Sequence, residues 1–554
     1  MPKITCSLKD LQTLTRRTLT EEKLRELLRT AKAELEEAHN DELSISFGDT
    51  NQPHLWSTEG LARHLKGVLE VEAGIASCKI EKPTTTVLVD ASVTSIRPYI
   101  ATFLAKGPAL TEQLLIQLIQ LQEKLAENYG RKRSKISIGL YPAAKIQFPV
   151  TYKAVDPDST KFIPLEGRTP LNLRAILREH PKGIAYASIL ANAKKYPVLL
   201  DANKQVLSLA PIINSETTGK LSPGETSIFF DATGTDKEAV DLCASIMAFA
   251  LADRGYIIQA CTVKYGKTST QTPSVQPRKM RFDMSYVQKI LGINLSQAEV
   301  KQLLRKARLD YQAPHALLPA YRNDFMHAVD VVEEVAIMKG YDTIPSSPVH
   351  IPSIARALPQ RGLANAARTV LAGLGMQEVL SPLLSNKDVL AEKMQAPDKN
   401  IVELSNPVSI TYSTVRSWLL PLLLEALSKN KHVEYPQKLF EHGLVTLRSG
   451  ELVWDEEHIA GISTHASADY TETRQHAEHV LRSLGVQYTI TDYEHQSFIQ
   501  GRCAEIKTNE ESIGFFGELH PAVLKRFGLE QPTAGFEINM TKIQEMMGKK
   551  EEKD

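Results

Sequence analysis

Four carboxylates crowd one short stretch of the 554-residue chain: Asp324, Asp330, Glu333 and Glu334, within Tyr321-Arg322-Asn323-Asp324-Phe325-Met326-His327-Ala328-Val329-Asp330-Val331-Val332-Glu333-Glu334-Val335. At roughly 100° per residue, a helix puts Asp330, Glu333 and Glu334 on one face, while Val329, Val332 and Val335 cover a neighbouring face that can pack. Three negative charges within one turn repel each other unless something positive sits between them. A hard divalent cation such as Mg²⁺, which takes oxygen ligands, would do this. The same residues also suit a helix N-terminus, where acidic side chains complement the dipole and face water. The residue types leave both readings open.

A second constellation is Ser227-Ile228-Phe229-Phe230-Asp231-Ala232-Thr233-Gly234-Thr235-Asp236-Lys237-Glu238. It reads as a strand ending in a Gly-containing turn, with Thr235-x-x-Glu238 opening an apolar helix through Val240, Leu242, Ile246 and Ala250. Such a turn sets Asp231, Thr233 and Thr235 beside free N–H groups, where an anion or a polarised carbonyl can bind. Asp, Thr and Gly are equally the ordinary residues of strand-to-helix turns. Upstream, the run from Val206 to Ser215 is apolar with a few hydroxyl and amide groups, which suits either a ligand pocket or a buried strand in which Ser208 is simply satisfied. Arg131-Lys132-Arg133-Ser134-Lys135 follows an expected helix end, placed to contact phosphate or to complement the helix dipole. His476 and His479 have no third ligand nearby, and Glu478 does not complete an HExxH pattern, so a surface helix is expected. P-loop, GxSxG and Cys/His nucleophile signatures are absent.

Three joints are marked by Pro, Ser and Thr: Lys82 to Thr86, Gly266 to Pro277, and Ile344 to Pro348 leading to Pro352. They divide the chain into 1–84, 85–270, 275–345 and 350–545, with a charged tail at 546–554 expected to fray. In the first piece, Thr18-Leu19-Thr20-Glu21 opens a helix expected to run to about Ala38. The second piece carries strand-like runs at 86–89, 136–140, 147–152 and 227–230, and a long amphipathic helix starting at Thr111. The third holds two helices around a short turn, the second opened by Ser296-Gln297-Ala298-Glu299. The fourth again mixes helices and strands. The fold class is α+β, as modules in series.

Lys+Arg and Asp+Glu number 65 each, so the net charge is zero, which excludes a general positive field for nucleic acid or anionic membrane. The strongest apolar run, Trp418 to Leu424, is broken by Pro421 and is far shorter than the ~20 residues that span a bilayer. The first residues lack a signal-peptide core. Five scattered cysteines with no CxxC spacing argue against a disulfide framework and against a cysteine zinc site. A reduced, cytoplasmic protein is expected.

Several segments, taken in order and spacing, carry a resemblance: Tyr196-Pro197-Val198-Leu199-Leu200-Asp201, Ala210-Pro211-Ile212-Ile213-Asn214-Ser215, Asp231 to Asp236, Pro319 to Asp324, Glu333-Glu334-Val335-Ala336 through Pro345, Ser405-Asn406-Pro407, Val415 to Pro421, Leu439-Phe440-Glu441-His442-Gly443 and Gly517-Glu518-Leu519-His520-Pro521. Across essentially the whole chain they resemble the β subunits of phenylalanyl-tRNA synthetases of the archaeal and eukaryotic type. The resemblance implies an editing module at 85–270, with Leu199, Ser208, Asp231 and Thr233 in a pocket that hydrolyses tyrosine mistakenly esterified to the phenylalanine tRNA. It implies Mg²⁺ on Asp324, Asp330, Glu333 and Glu334 near the contact with an α subunit. It also implies a class II synthetase catalytic-like antiparallel-sheet domain at 350–545 without its chemistry. Leu439 stands where the second motif has its arginine, and no arginine lies around Gly535-Phe536-Glu537-Ile538-Asn539-Met540. ATP-dependent attachment of phenylalanine then falls to the α chain of an α2β2 heterotetramer that binds tRNA(Phe) and no membrane. The alternative is a scaffold subunit whose editing module is idle.

Overall fold

The computed structural model describes residues 2–551 apart from 350, 352, 356, 398 and 399. The proline expected to mark a joint at 352 and the tail residues 552–554 lie outside the described residues. The chain forms two compact units, Met1–Pro348 and Val349–Asp554.

The first unit opens with a three-stranded antiparallel sheet in which Glu42–Phe47 lies between Lys3–Ser7 and Ala33–His39. Helices Leu8–Thr15, Glu21–Leu28 and Thr58–Val68 accompany it, each started by a hydroxyl cap: Ser7, Thr20 and Ser57 accept from the backbone N–H three residues on. The helix expected to reach Ala38 stops at Leu28. Lys32 turns left-handed (φ 50°), and the chain reverses into a strand whose Ala33 and Leu35 face inward. Leu24, Leu27, Leu28 and Ala31 repeat at helical spacing and give no sign of this stop, because Arg29, Thr30 and Ala31 are compatible with either course.

Next comes a ten-stranded sheet. Its spine runs Ile213–Asn214, Val206–Leu209, Tyr196–Leu200, Val150–Val155, Ile80–Val89, Ile257–Tyr265, Tyr99–Lys106, Ser227–Gly234 and Ile136–Pro142, with Thr268–Thr272 pairing off Ile257–Tyr265. Helix Glu112–Lys124, capped by Thr111, and helix Lys237–Asp253, buried from Ala239 to Leu251 except at Asp241, accompany it. The strand at 227 is longer than its apolar run suggested. It continues to Gly234 with one register to Tyr99–Lys106 and to Ile136–Pro142, and Asp236, not Thr235, caps the helix that follows. Asp231 and Thr233 are therefore mid-strand residues, 3% and 0% exposed, and not turn residues beside free N–H groups.

Residues 278–339 form three short strands, Arg278–Arg281, His315–Leu318 and Asp310–Gln312, with three helices. Ser296 and Glu299 make the reciprocal capping box at the start of Gln297–Lys306. Ala328–Lys339 buries Val331, Val332 and Val335, whereas Val329 is 40% exposed and does not pack.

The second unit is built on a seven-stranded sheet ordered Gln377–Glu378, Gln437–Ser449, Leu452–Thr464, Thr533–Asn539, Glu511–Leu519, Phe498–Thr508 and Thr489–Asp492. Every pairing is antiparallel except the first. Helices Pro359–Gly373 and Tyr470–Ser483 belong to one apolar cluster of this unit, and Leu420–Lys429 and Pro521–Phe527 to another. The tail expected to fray is helical as far as it is described, in Met540–Glu551. His476 is buried on Tyr470–Ser483, and Glu478 is occupied by Arg474 and Arg482. Among the described residues no helix is long and apolar enough to cross a membrane, and all five cysteines are free.

Candidate functional site

The sheet of the first unit carries a cavity of about 340 Å³. Its walls come from Leu115, Ile119, Ile138, Leu140, Leu209 and Ile212, the last two supplied by the apolar 206–215 run. The polar groups are divided by depth. Tyr141, Asp231 and Ser208 lie at the bottom and are 1%, 3% and 4% exposed, whereas Lys182 and Lys220 at the rim keep about half their side chains in solvent (48% and 52%).

Strand register sets the floor. Asp231 sits across from Gly139, and Tyr141 follows Gly139 by two residues on the same strand face. The Tyr141 hydroxyl donates to Asp231 Oδ1 at 2.5 Å and lies 2.9 Å from Ser208 Oγ. Gly139 makes this meeting possible: a Cβ there would fall 2.2 Å from the Tyr141 hydroxyl and 2.4 Å from Asp231 Oδ1. Burial pushes the Asp231 carboxyl up to about 6, against the hydrogen bond from Tyr141 that favours its charge. Burial, with the neighbouring Asp231, drives the Tyr141 phenol well above its ordinary value.

Thr233 and Leu199 do not line the cavity but support it from behind. Thr233 Oγ1 accepts from Arg97 Nε at 3.1 Å and bonds Ser137 Oγ at 3.0 Å, and the fully enclosed Arg97 also donates to the Thr233 carbonyl at 2.7 Å. Leu199 pairs across from Ser208 and joins the apolar cluster that contains Tyr141 and Tyr152.

Sequence reasoning did not single out Tyr141, Gln122, Glu123 or the side chain of Asn214. Asn214 lies across from Ser208, with its amide toward the carbonyls of Leu140 and Gly219, and Gln122 donates to the Ile138 carbonyl at 2.9 Å. Of the basic cluster, Arg133 is not a free phosphate contact. It donates to the Ile212 carbonyl at 2.9 Å, pairs with Glu123 and stacks over Tyr186, forming part of the cavity wall. Lys135 pairs with Asp236.

The carboxylate set is arranged differently from a cage. Asp324 and Glu334 are both buried against one guanidinium, with Arg322 Nη2 at 2.5 and 2.6 Å. Asp330 accepts from the backbone N–H groups of Met326 and His327 at the start of its helix, and Glu333 pairs with Lys32 at 2.8 Å. Burial opposes the charge on Arg322, but Glu334 and Asp324 outweigh it and hold the guanidinium firmly protonated. The oxygen donors are of the right chemistry for Mg²⁺, yet as folded here the four do not form one cation site. Among the described residues no group of three or more His, Cys, Asp or Glu does so.

The sheet of the second unit has its own buried charges. Leu439, half-buried in strand Gln437–Ser449, bears no charge, and Glu441 two residues on is held by Arg416 at 2.5 Å with both side chains almost fully enclosed. Glu537, in the last strand of the 533–539 segment, accepts from the N–H groups of Leu419 and Leu420 at the start of a helix and from His458 at 2.7 Å. Burial works against charge on His458, but Glu456 and Glu537 outweigh it and hold the imidazole up at about 9.

An antiparallel sheet with buried acids in one unit, and an open-mouthed, polar-floored cavity in the other, are compatible with a component of a multidomain aminoacyl-tRNA synthetase. The family models agree: the tRNA synthetase B5 domain matches residues 280–341, and the phenylalanyl tRNA synthetase beta chain CLM domain matches 344–540. The phenylalanine–tRNA ligase beta subunit of Pyrococcus horikoshii is 37% identical over 550 residues, covering 97% of this chain and 99% of that protein. That of Archaeoglobus fulgidus is 37% identical over 516 residues, covering 92% and 93%. The crystal structure of an N-terminal fragment of the Pyrococcus horikoshii subunit matches with a TM-score of 0.60 at 36% identity, covering 61% of this chain and all of that one. The chain belongs to the phenylalanine–tRNA ligase β-subunit family.

Proposed function

We propose that this chain supports an α subunit in ATP-dependent attachment of phenylalanine to tRNA(Phe), and that its 85–270 module hydrolyses tyrosine wrongly esterified to that tRNA. The observation that carries the editing assignment is the cavity itself, apolar in its walls, polar at its floor, and lined at its rim by Lys182 and Lys220 alongside Glu123 and Glu166. A pocket built for phenylalanine rejects an analogue with one extra hydroxyl by only about 10²-fold, whereas a site that hydrogen-bonds the hydroxyl can reject the analogue lacking it by about 10⁴–10⁵-fold. The second pocket is of the latter kind. Lys182 and Lys220 at the mouth suit the phosphates of a tRNA 3′ end, which places the ester near the mouth and the amino-acid side chain deep.

At the floor, an ionised Asp231 accepts the Tyr141 proton at one oxygen and retains acceptor capacity for a phenol O–H, with Ser208 beside it. Phenylalanine brings no donor there and would strip water from a buried charge without replacing it. Thr233 and Leu199 act through the strands: Thr233 with Arg97 fixes the Asp231 strand, and Leu199 fixes Ser208 from across the pairing. The side-chain amides of Asn214 and Gln122, which also line the cavity, orient the ester carbonyl and the attacking water through the atoms not engaged with backbone carbonyls.

The α subunit meets exposed apolar side chains of the second unit, among them Leu380, Val408 and Ile410. It supplies the ATP site of an α2β2 assembly in the cytoplasm. The Mg²⁺ proposed for Asp324, Asp330, Glu333 and Glu334 requires Arg322 to release Asp324 and Glu334, and Lys32 to release Glu333.

The experiment is deacylation of tyrosyl-tRNA(Phe) by the α2β2 assembly carrying Asp231→Ala or Thr233→Ala. Lost or unselective hydrolysis is expected in both; wild-type rates and selectivity would remove these residues from the mechanism. An idle module would give no hydrolysis even without substitution.

A further inference from the structure

Away from the editing cavity, a second, much smaller chamber lies inside the first unit, enclosed by His54, Arg63, His64, Arg308, Tyr321 and Arg322 together with Gly60 and Ala307. These six side chains are all less than 9% exposed. Its free space is about 10 Å³, enough for one water-sized guest, so a halide seats there with a small outward shift of the surrounding side chains.

The walls carry three guanidinium groups and no carboxylate. The arginines have acidic partners outside the chamber, and these partners leave specific atoms over. Asp253 takes Nε and Nη2 of Arg63 at 2.9 and 2.6 Å, and Nη1 has no partner among the described residues. Glu72 takes the Nη atoms of Arg308 through its carbonyl and carboxylate, and Nε has none. The Tyr321 hydroxyl and His54 Nδ1 are likewise buried and unpartnered. Arg63 and Arg308 can only donate, the hydroxyl carries a donor, and the imidazole donates in one tautomer. A buried donor left unpaired costs roughly as much as the hydrogen bond it forgoes, so four around one chamber call for a shared acceptor.

We propose that this chamber binds one monatomic anion, chloride in ordinary buffers, which bridges Arg63 of the N-terminal module to Arg308 and Tyr321 of the 275–345 module. A water molecule accepts only about two hydrogen bonds and must place two protons of its own, whereas a halide accepts from every donor and has none to place. Phosphate and carboxylates exceed the available space. The local potential has the same sign. Burial first, then Arg322 with Arg63, holds the His54 imidazole well below its ordinary value, and burial with Arg322 and Arg308 holds His64 at about 4, so both are neutral and the fixed positive charge belongs to the arginines.

The test uses the full-length chain in its complex. Crystals grown with sodium bromide and measured at the bromine absorption edge should show an anomalous peak inside the chamber; a peak-free chamber, or one holding water only, overturns the proposal. In solution, the melting temperature should rise and saturate with bromide or chloride but not with gluconate at matched ionic strength; an equal response to gluconate overturns it. Tyr321→Phe removes one donor while keeping the ring, and should raise the half-saturating bromide concentration about tenfold. An unchanged value would remove Tyr321 from the site.

Discussion

Replacing Tyr141 by Phe deletes one oxygen atom and leaves the ring, which packs at 5.8 Å from Phe229, in place. That oxygen supplies the only side-chain donor that reaches Asp231 among the described residues. A hydrogen bond to a charged acceptor is worth roughly 1.5–3 kcal/mol, and one pKa unit is about 1.4 kcal/mol, so losing it should raise the Asp231 carboxyl by about one to two units. Asp231 already stands at about 6 through burial. In the variant it would titrate at about 7–8, and the ionised fraction at pH 7 would fall roughly two- to tenfold. If ionised Asp231 reads the phenol, kcat/KM for tyrosyl-tRNA(Phe) hydrolysis falls by the same factor at pH 7 and recovers as the pH is raised toward 9. The assay is deacylation of preformed tyrosyl-tRNA(Phe) by the α2β2 assembly from pH 5.5 to 9, corrected for uncatalysed ester loss, with phenylalanylation measured alongside as a check on folding. A loss of equal size at every pH would refute the electrostatic reasoning, and an unchanged profile would refute the role of Tyr141 altogether.

Gly139→Ala drives a methyl group into the space between Tyr141 and Asp231, so it should abolish editing while leaving phenylalanylation near wild type, as read by paired deacylation and charging assays. Arg416→Leu leaves Glu441 buried and uncompensated in the second unit, and should cost about 3–5 kcal/mol in urea unfolding, with Glu441→Gln in the same background restoring part of it. His458 is raised from 6.5 to about 9 in the folded chain, so its contribution is complete below about pH 6.5 and is lost as the pH climbs through 9. The span is worth about 3 kcal/mol at most, and the decline in stability over that window should flatten in His458→Gln.

How much of this was legible in the residues varies with the range of the interaction. The capping hydroxyls Thr111 and Ser296 follow a local rule and mark their helix starts correctly, whereas the box expected at Thr18–Glu21 begins two residues early, the cap being Thr20. The stop at Leu28 and the strand beginning at Ala33 depend on pairing with Glu42–Phe47, which no local signal contains. Asp231 and Thr233 looked like turn residues because Gly234 and Thr235 follow them; register with two neighbouring strands keeps them extended and buried. Ser208 sits in a run whose mixed polarity suited a pocket wall and a buried strand alike, and it is both, whereas Leu199 was associated with the pocket only by resemblance and lies behind it. Tyr141 was not legible at all, since its function arises from a glycine two residues before it and an aspartate ninety residues after it. The carboxylates from Asp324 to Glu334 were clear as a cluster, but the cation that faces two of them, Arg322, lay in the same segment without being recognised as their partner.

Selective ester hydrolysis tests most directly whether one chain corrects an error made at another. Supplied with both aminoacylated forms of tRNA(Phe), the unaltered α2β2 assembly should release tyrosine rapidly and leave phenylalanine attached, and the difference should vanish in Asp231→Ala. Equal release of both amino acids by the unaltered assembly, or release of neither, would contradict it.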